Sequence, residues 1–98
     1  MTKLFIVKGI AGSYEDRTEW AICACRTEEF AIEVATTLNK AVQQVYIQLE
    51  NVYENIRERY DYYDLIDTRI EKIDPKYPGS GVGEPHYKIE DVELLEVE

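Results

Sequence analysis

Ser13, Cys23 and Cys25 are side chains of this 98-residue chain that could act as nucleophiles, and His86 is its single imidazole. A hydroxyl or thiol attacks only when a base within hydrogen-bond reach takes its proton and a third group orients that base. Ser13, His86 and Asp16 could form such a trio if the segments carrying them met, but nothing in their local spacing marks a catalytic set. The chain therefore reads as a non-enzyme. Cys23 and Cys25 are two apart in a strand pattern, so they share a face and are too far apart to bridge without distortion. Reduced core thiols are expected. One histidine and two cysteines fall short of the ligands a closed metal site needs, so neither metal nor cofactor is implied.

A second polar set lies on two Gly- and Pro-containing stretches, residues 9–18 and 74–85, which become neighbours if the first and last strands pair antiparallel. Ser13, Tyr14, Glu15, Asp16 and Arg17 belong to the first, and Asp74, Tyr77 and Ser80 to the second, with His86 just after it. Donors, acceptors and aromatic faces of this kind suit a small polar ligand or a protein loop. The candidate ligand residues are Ser13, Tyr14, Asp16, Arg17, Tyr77, Ser80 and His86. The plainer alternative is a pair of surface turns. Gly79-Ser80-Gly81-Val82-Gly83 is not a phosphate cradle, because it does not lead from a strand into a helix and lacks the lysine.

A third set is periodic. Tyr46, Tyr53 and Tyr60 recur every seven residues, and Glu50, Glu54 and Glu58 stand at four-residue steps continued by Asp61 and Asp64. Tyrosine is enriched at binding hot spots, while like charges at this spacing work slightly against a helix. Tyr46, Glu50, Tyr53, Glu54, Glu58, Tyr60 and Asp61 are therefore candidates for a partner surface, against the plainer reading of a solvated helix face with tyrosines along its border. The net charge of −9 resides chiefly in residues 28–98. An acidic surface repels phosphate backbones, so direct nucleic-acid binding is not expected and a protein with a basic surface is the natural partner.

The element that must position these residues is the helix-patterned run from Thr27 to Ile73. Ala35, Val42, Leu49, Ile56, Tyr63 and Ile70 form one seam, and Leu38, Val45, Val52, Ile66 and Ile73 the other, interrupted by Arg59. Thr27 is suited to cap its start, with Glu28 and Glu29 in the first turn, and Pro75 ends it. Unbroken, it would be about 70 Å long, more than one short sheet can cover. Either it folds back near Asp61-Tyr62-Tyr63-Asp64, or two copies pair through the seam, and a homodimer is the expectation.

Leu4–Ile10 and Glu19–Arg26 read as strands, and a third follows around Tyr87–Leu94 with a bulge expected at Glu90 or Asp91. Trp20-Ile22-Ala24 and Ala21-Cys23-Cys25 form the two apolar faces of the second strand. The fold class is α+β in one domain, residues 1–98: a three-stranded antiparallel sheet of order 2-1-3, in β-β-α-β topology, with one long helix or a helical hairpin between strands two and three. No apolar run is long enough to span a membrane, and the N-terminal apolar stretch is too short for a secretory signal, so a cytoplasmic protein is expected.

Gly12-Ser13-Tyr14-Glu15-Asp16-Arg17-Thr18-Glu19-Trp20, Asp74-Pro75 and Tyr87-Lys88-Ile89-Glu90-Asp91-Val92-Glu93-Leu94 resemble a group of small bacteriophage and prophage proteins. Their pattern is a strand, a Tyr-x-Asp loop, a Trp strand, a helix, an Asp-Pro loop and a terminal strand. The resemblance covers both ends of the chain and is weakest in the helix. It implies a phage setting inside a bacterial host, where small acidic proteins disable defences such as CRISPR effectors or restriction enzymes, or sequester nucleotide signals.

Overall fold

The central strand, β1 (Thr2–Ala11), pairs antiparallel on one side with β2 (Thr18–Cys25) and on the other with β3 (His86–Leu94), giving the sheet order β2-β1-β3. The computed structural model describes residues 2–12, 17–50, 59–79 and 83–94, and its helices are α1 (Glu28–Leu49) and α2 (Arg59–Ile73). β1 alternates as a strand must when one face is covered. Val7, Gly9 and Ala11 are buried, Val7 against α1 and Gly9 under the Trp20 ring, whereas Leu4, Ile6, Lys8 and Ile10 are only partly covered.

The irregularity expected in the last strand is in the second. β3 runs in unbroken register from Thr2↔Leu94 to Ile10↔His86, so no bulge occurs at Glu90 or Asp91. Asp91 keeps the inner parity without being buried, because it lies exposed and pairs with Lys3 at 3.3 Å. In β2 the register steps from Val7↔Cys23 to Lys8↔Ala21, leaving Ile22 as an extra residue. This one insertion overturns the simple two-face reading of the strand. Trp20, opposite Gly9, joins Cys23 and Cys25 on the helix side, while Ala21 and Ala24 face outward.

Thr27 caps α1 as its sequence requires, its Oγ1 accepting from Phe30 N at 3.2 Å, with Glu28 and Glu29 in the first turn. Ala31, Ala35 and Val42 pack on Val7, Cys25 and Tyr87. Asn39 grips β3 with both ends of its amide, donating to Tyr87 O at 2.9 Å and accepting from Tyr87 N at 2.8 Å. It thereby occupies part of the strand's free edge.

The long seam is divided between two packed helices and is not continuous. Val45 and Leu49 at the end of α1 pack against Ile66, Ile70 and Tyr77, so α2 folds back along α1. The Asp61–Asp64 stretch proposed as the turn lies inside α2. The stripe also changes register: Tyr63, expected on the seam, is 53 % exposed, while the off-seam Leu65 is half-buried against α1. Val52 and Ile56 lie outside the described residues. No helix among the described residues is long and apolar enough to cross a membrane.

Gly9 is the point where sheet and aromatic layer touch most closely. A Cβ there would lie 2.3 Å from Trp20 Cε2, inside the ring's contact distance. The bulge delivers an indole onto a position that has no side chain. Gly9→Ala should therefore force the indole away and cost about 1–3 kcal/mol, the usual scale of overpacking. A urea unfolding curve together with near-ultraviolet circular dichroism of the single tryptophan checks this; an unchanged midpoint would show that the ring moves aside freely.

Candidate functional site

Asp74 follows the last residue of α2 and is 2 % exposed. Its Oδ2 accepts from Trp20 Nε1 at 2.8 Å and from the Tyr87 hydroxyl at 2.9 Å, and its Oδ1 accepts from Lys76 N at 3.0 Å. The last bond is an Asx turn across Pro75, so the Asp-Pro-Lys sequence itself aims the carboxyl back into the protein. Asp74 N donates to Ile70 O at 2.8 Å and Tyr77 N to Asp74 O at 3.0 Å, which closes the helix end. Lys76 then donates its Nζ to Ile22 O at 2.8 Å and so holds the bulge.

Around this carboxyl the aromatic rings meet edge to face: Trp20 and Tyr77 at 5.9 Å and 66°, Trp20 and Tyr87 at 6.4 Å and 88°. Burial and the bond to Asp74 push the Tyr87 phenol far above its ordinary range. Burial and the neighbouring Asp67 do the same to Tyr77. Both rings therefore act here as neutral hydrogen-bond donors.

Asp67, two turns before Asp74, is placed differently. The Tyr77 hydroxyl lies 3.1 Å from Asp67 Oδ1 and 3.1 Å from Gly83 O, and its one proton must be divided between two acceptors. Burial raises the Asp67 carboxyl above its usual range; the Tyr77 bond lowers it, while Asp64 and Glu71 on the same helix raise it. The Tyr46 phenol, half-buried, is pushed up to about 12 by burial and then by Glu84 and Asp67. Asp67, Tyr77, Tyr46 and Glu84 thus form an electronegative neighbourhood beside the Asp74 junction.

The two polar stretches do converge, since a Cβ on Gly83 would stand 4.0 Å from Gly12 N. Among their candidate residues, Tyr77 is buried in the junction, Arg17 is exposed and bonded to Glu19 at 3.0 Å, and His86 is exposed at the start of β3. Ser13, Tyr14, Asp16 and Ser80 lie outside the described residues, and with them the Ser13–His86–Asp16 arrangement. Of the partner candidates, Tyr46 is packed between the helices and Glu50 is exposed beyond the end of α1. Tyr60 and Asp61 lie in the first turn of α2, and Tyr53, Glu54 and Glu58 are outside the described residues.

Cys23 and Cys25 are free thiols on one face, their sulfurs 3.8 Å apart. Burial and the neighbouring Cys25 push the Cys23 thiol upward, away from the reactive thiolate. No group of three or more metal-ligating side chains is present among the described residues. No family model, curated protein or solved structure matches the chain.

Two substitutions separate the roles of the acids. Asp74→Ala would leave the buried Tyr87 hydroxyl and the part-buried Trp20 Nε1 and Lys76 N without their acceptor, at about 1–3 kcal/mol for a buried donor and less for a part-buried one, so a loss of about 2–5 kcal/mol is expected in denaturant titration. Asp67 has the opposite sign. Its native carboxyl holds a proton more tightly than the unfolded one, so its stability contribution is full below the ordinary carboxylate value. That contribution is lost as pH rises through the elevated native value. Asp67→Asn should therefore be more stable than wild type near pH 7 by a margin that shrinks towards about pH 4. Melting curves showing a margin independent of pH would contradict this assignment.

Proposed function

We propose that this chain is a non-catalytic binding protein whose acidic surface engages a partner protein with a basic surface. The observation that carries the reading is a row of acids on α2: Asp64, Asp67 and Glu71 stand at three- and four-residue steps, and none of them forms an ion pair with a described residue. Burial and these like-charged neighbours raise the Asp67 carboxyl accordingly. Glu84 adds to the same negative field at Tyr46. Like charges at helical spacing cost a few tenths of a kcal/mol per pair, a cost that a basic partner would relieve. The resemblance to phage proteins supplies a setting in which that partner is a host defence protein, such as a CRISPR effector or restriction enzyme, reached in the bacterial cytoplasm.

The meeting of Gly12 and Gly83 supports a second reading, in which residues 9–18 and 74–85 sequester a nucleotide signal. A homodimer of this chain would need a surface other than the Val45–Leu49–Ile66–Ile70 seam, which the fold-back buries within the chain.

Affinity capture from a bacterial lysate at low and high salt tests the first reading, with a specific protein expected at low salt and less of it at high salt. Neutralising the ridge with Asp64→Asn and Glu71→Gln should raise the melting temperature slightly and weaken that capture. Capture of no specific protein, or capture unaffected by the double substitution, would sink the reading. A rise in melting temperature with cyclic nucleotides, absent from a control panel of sugars, would favour the second.

A further inference from the structure

Phe30, Glu33, Val34 and Thr37 stand at i, i+3, i+4 and i+7 on α1 and, with Leu38, line a shallow hollow of about 230 Å³. Four residues at those spacings form the hole that receives a side chain from a facing helix in coiled-coil packing. The hollow lies on the flank away from β3, since Asn39 ties the opposite flank to Tyr87. Phe30 is 55 % exposed at its lip, whereas Val34 and Leu38 reach down to the core. Ala41 and Gln44 continue the same line towards the end of the helix, so the flank runs from a large apolar residue to small and neutral ones.

We infer that this flank of α1 pairs antiparallel with the same flank of a second copy of the chain. Charge decides the occupant and the direction. Glu33 and Lys40 are both exposed, lie seven residues apart on one line of the helix, and make no ion pair with a described residue. A two-fold axis beside Thr37 sets Phe30 opposite Gln44 of the second copy, where Ala41 leaves room for the ring. The same axis brings Glu33 within one residue of Lys40 of the second copy, and the pairing occurs twice. A parallel arrangement would instead place Glu28, Glu29 and Glu33 of both copies side by side and align the helix dipoles. The pairing leaves the acidic ridge of α2 free and does not depend on what that ridge binds.

Sedimentation equilibrium of the full chain, from micromolar to near-millimolar concentration, tests the pairing. Wild type should show a reversible monomer–dimer equilibrium. Phe30→Ser should weaken it by at least about tenfold, the effect of losing an aromatic anchor. Glu33→Lys and Lys40→Glu should each weaken it, and the two combined should restore it, because the exchanged charges again face each other. Circular dichroism checks that each variant is folded; should Phe30→Ser unfold, the charge exchange decides alone. A wild type monomeric throughout, a dimer indifferent to Phe30→Ser, or a double exchange no tighter than its singles would each overturn the proposal.

Discussion

The carboxyl of Asp74 joins elements that do not pair directly with one another. Its three hydrogen bonds reach Trp20 on β2, Tyr87 on β3 and the turn that leaves α2, so both outer strands and the second helix are referred to one buried group. A carboxyl after a helix C-terminus opposes the macrodipole, and its burial would be costly without donors. Here three donors lie within 3.0 Å of its two oxygens and satisfy both. The conflict with the helix end is thus offset locally, and α2 is fixed against the sheet by its last residues.

That arrangement depends in turn on a parity change. Were Ile22 paired in regular alternation instead of bulged, Trp20 would share the outward face with Ile22 and Ala24 and point away from α1. The bulge turns it inward over Gly9, and the Lys76 side chain secures the bulge by bonding Ile22 O. The Asp-Pro-Lys segment therefore acts twice, with the carboxyl of Asp74 on the indole and the ammonium of Lys76 on the backbone that aims it. Bulge and lysine also interrupt the free edge of β2, as Asn39 does for β3, which leaves the sheet poorly suited to edge-to-edge growth.

Sheet order, the Thr27 cap, the stop at Asp74-Pro75 and the convergence of the two loops were legible because each follows from local chemistry or from short-connection topology. The end of α1 was not. Glu50–Glu58 contains neither glycine nor proline, and its apolar spacing continues the heptads, so periodicity alone reads through it. The register change in α2 left one trace, the off-seam Leu65, which does pack inward. The bulge was assigned to the wrong strand for a physical reason. Parity in β3 was judged by hydrophobicity, yet Asp91 retains inner parity at an exposed position where burial does not select against charge. In β2, apolar residues on both sides of the alternation concealed the real insertion. Asp67 and Tyr87 carried no motif, because their roles arise from contacts made after folding.

Asp67 and Asp74 are seven residues apart, and both accept a hydrogen bond from a tyrosine, yet their environments differ in kind. Asp74 has three donors directed at it and makes no ion pair among the described residues. Asp67 shares a single phenolic proton with Gly83 O and faces Asp64 and Glu71 along its own helix. A fold that needed only to close its core would gain from an amide or an apolar residue at position 67, since partial burial and like charge both act against a carboxylate there. Position 74 shows that this chain can surround an acid with donors where the fold requires one. The carboxyl at position 67 is thus kept at a cost to the fold, sharing one phenolic donor and standing between two acidic neighbours on its own helix.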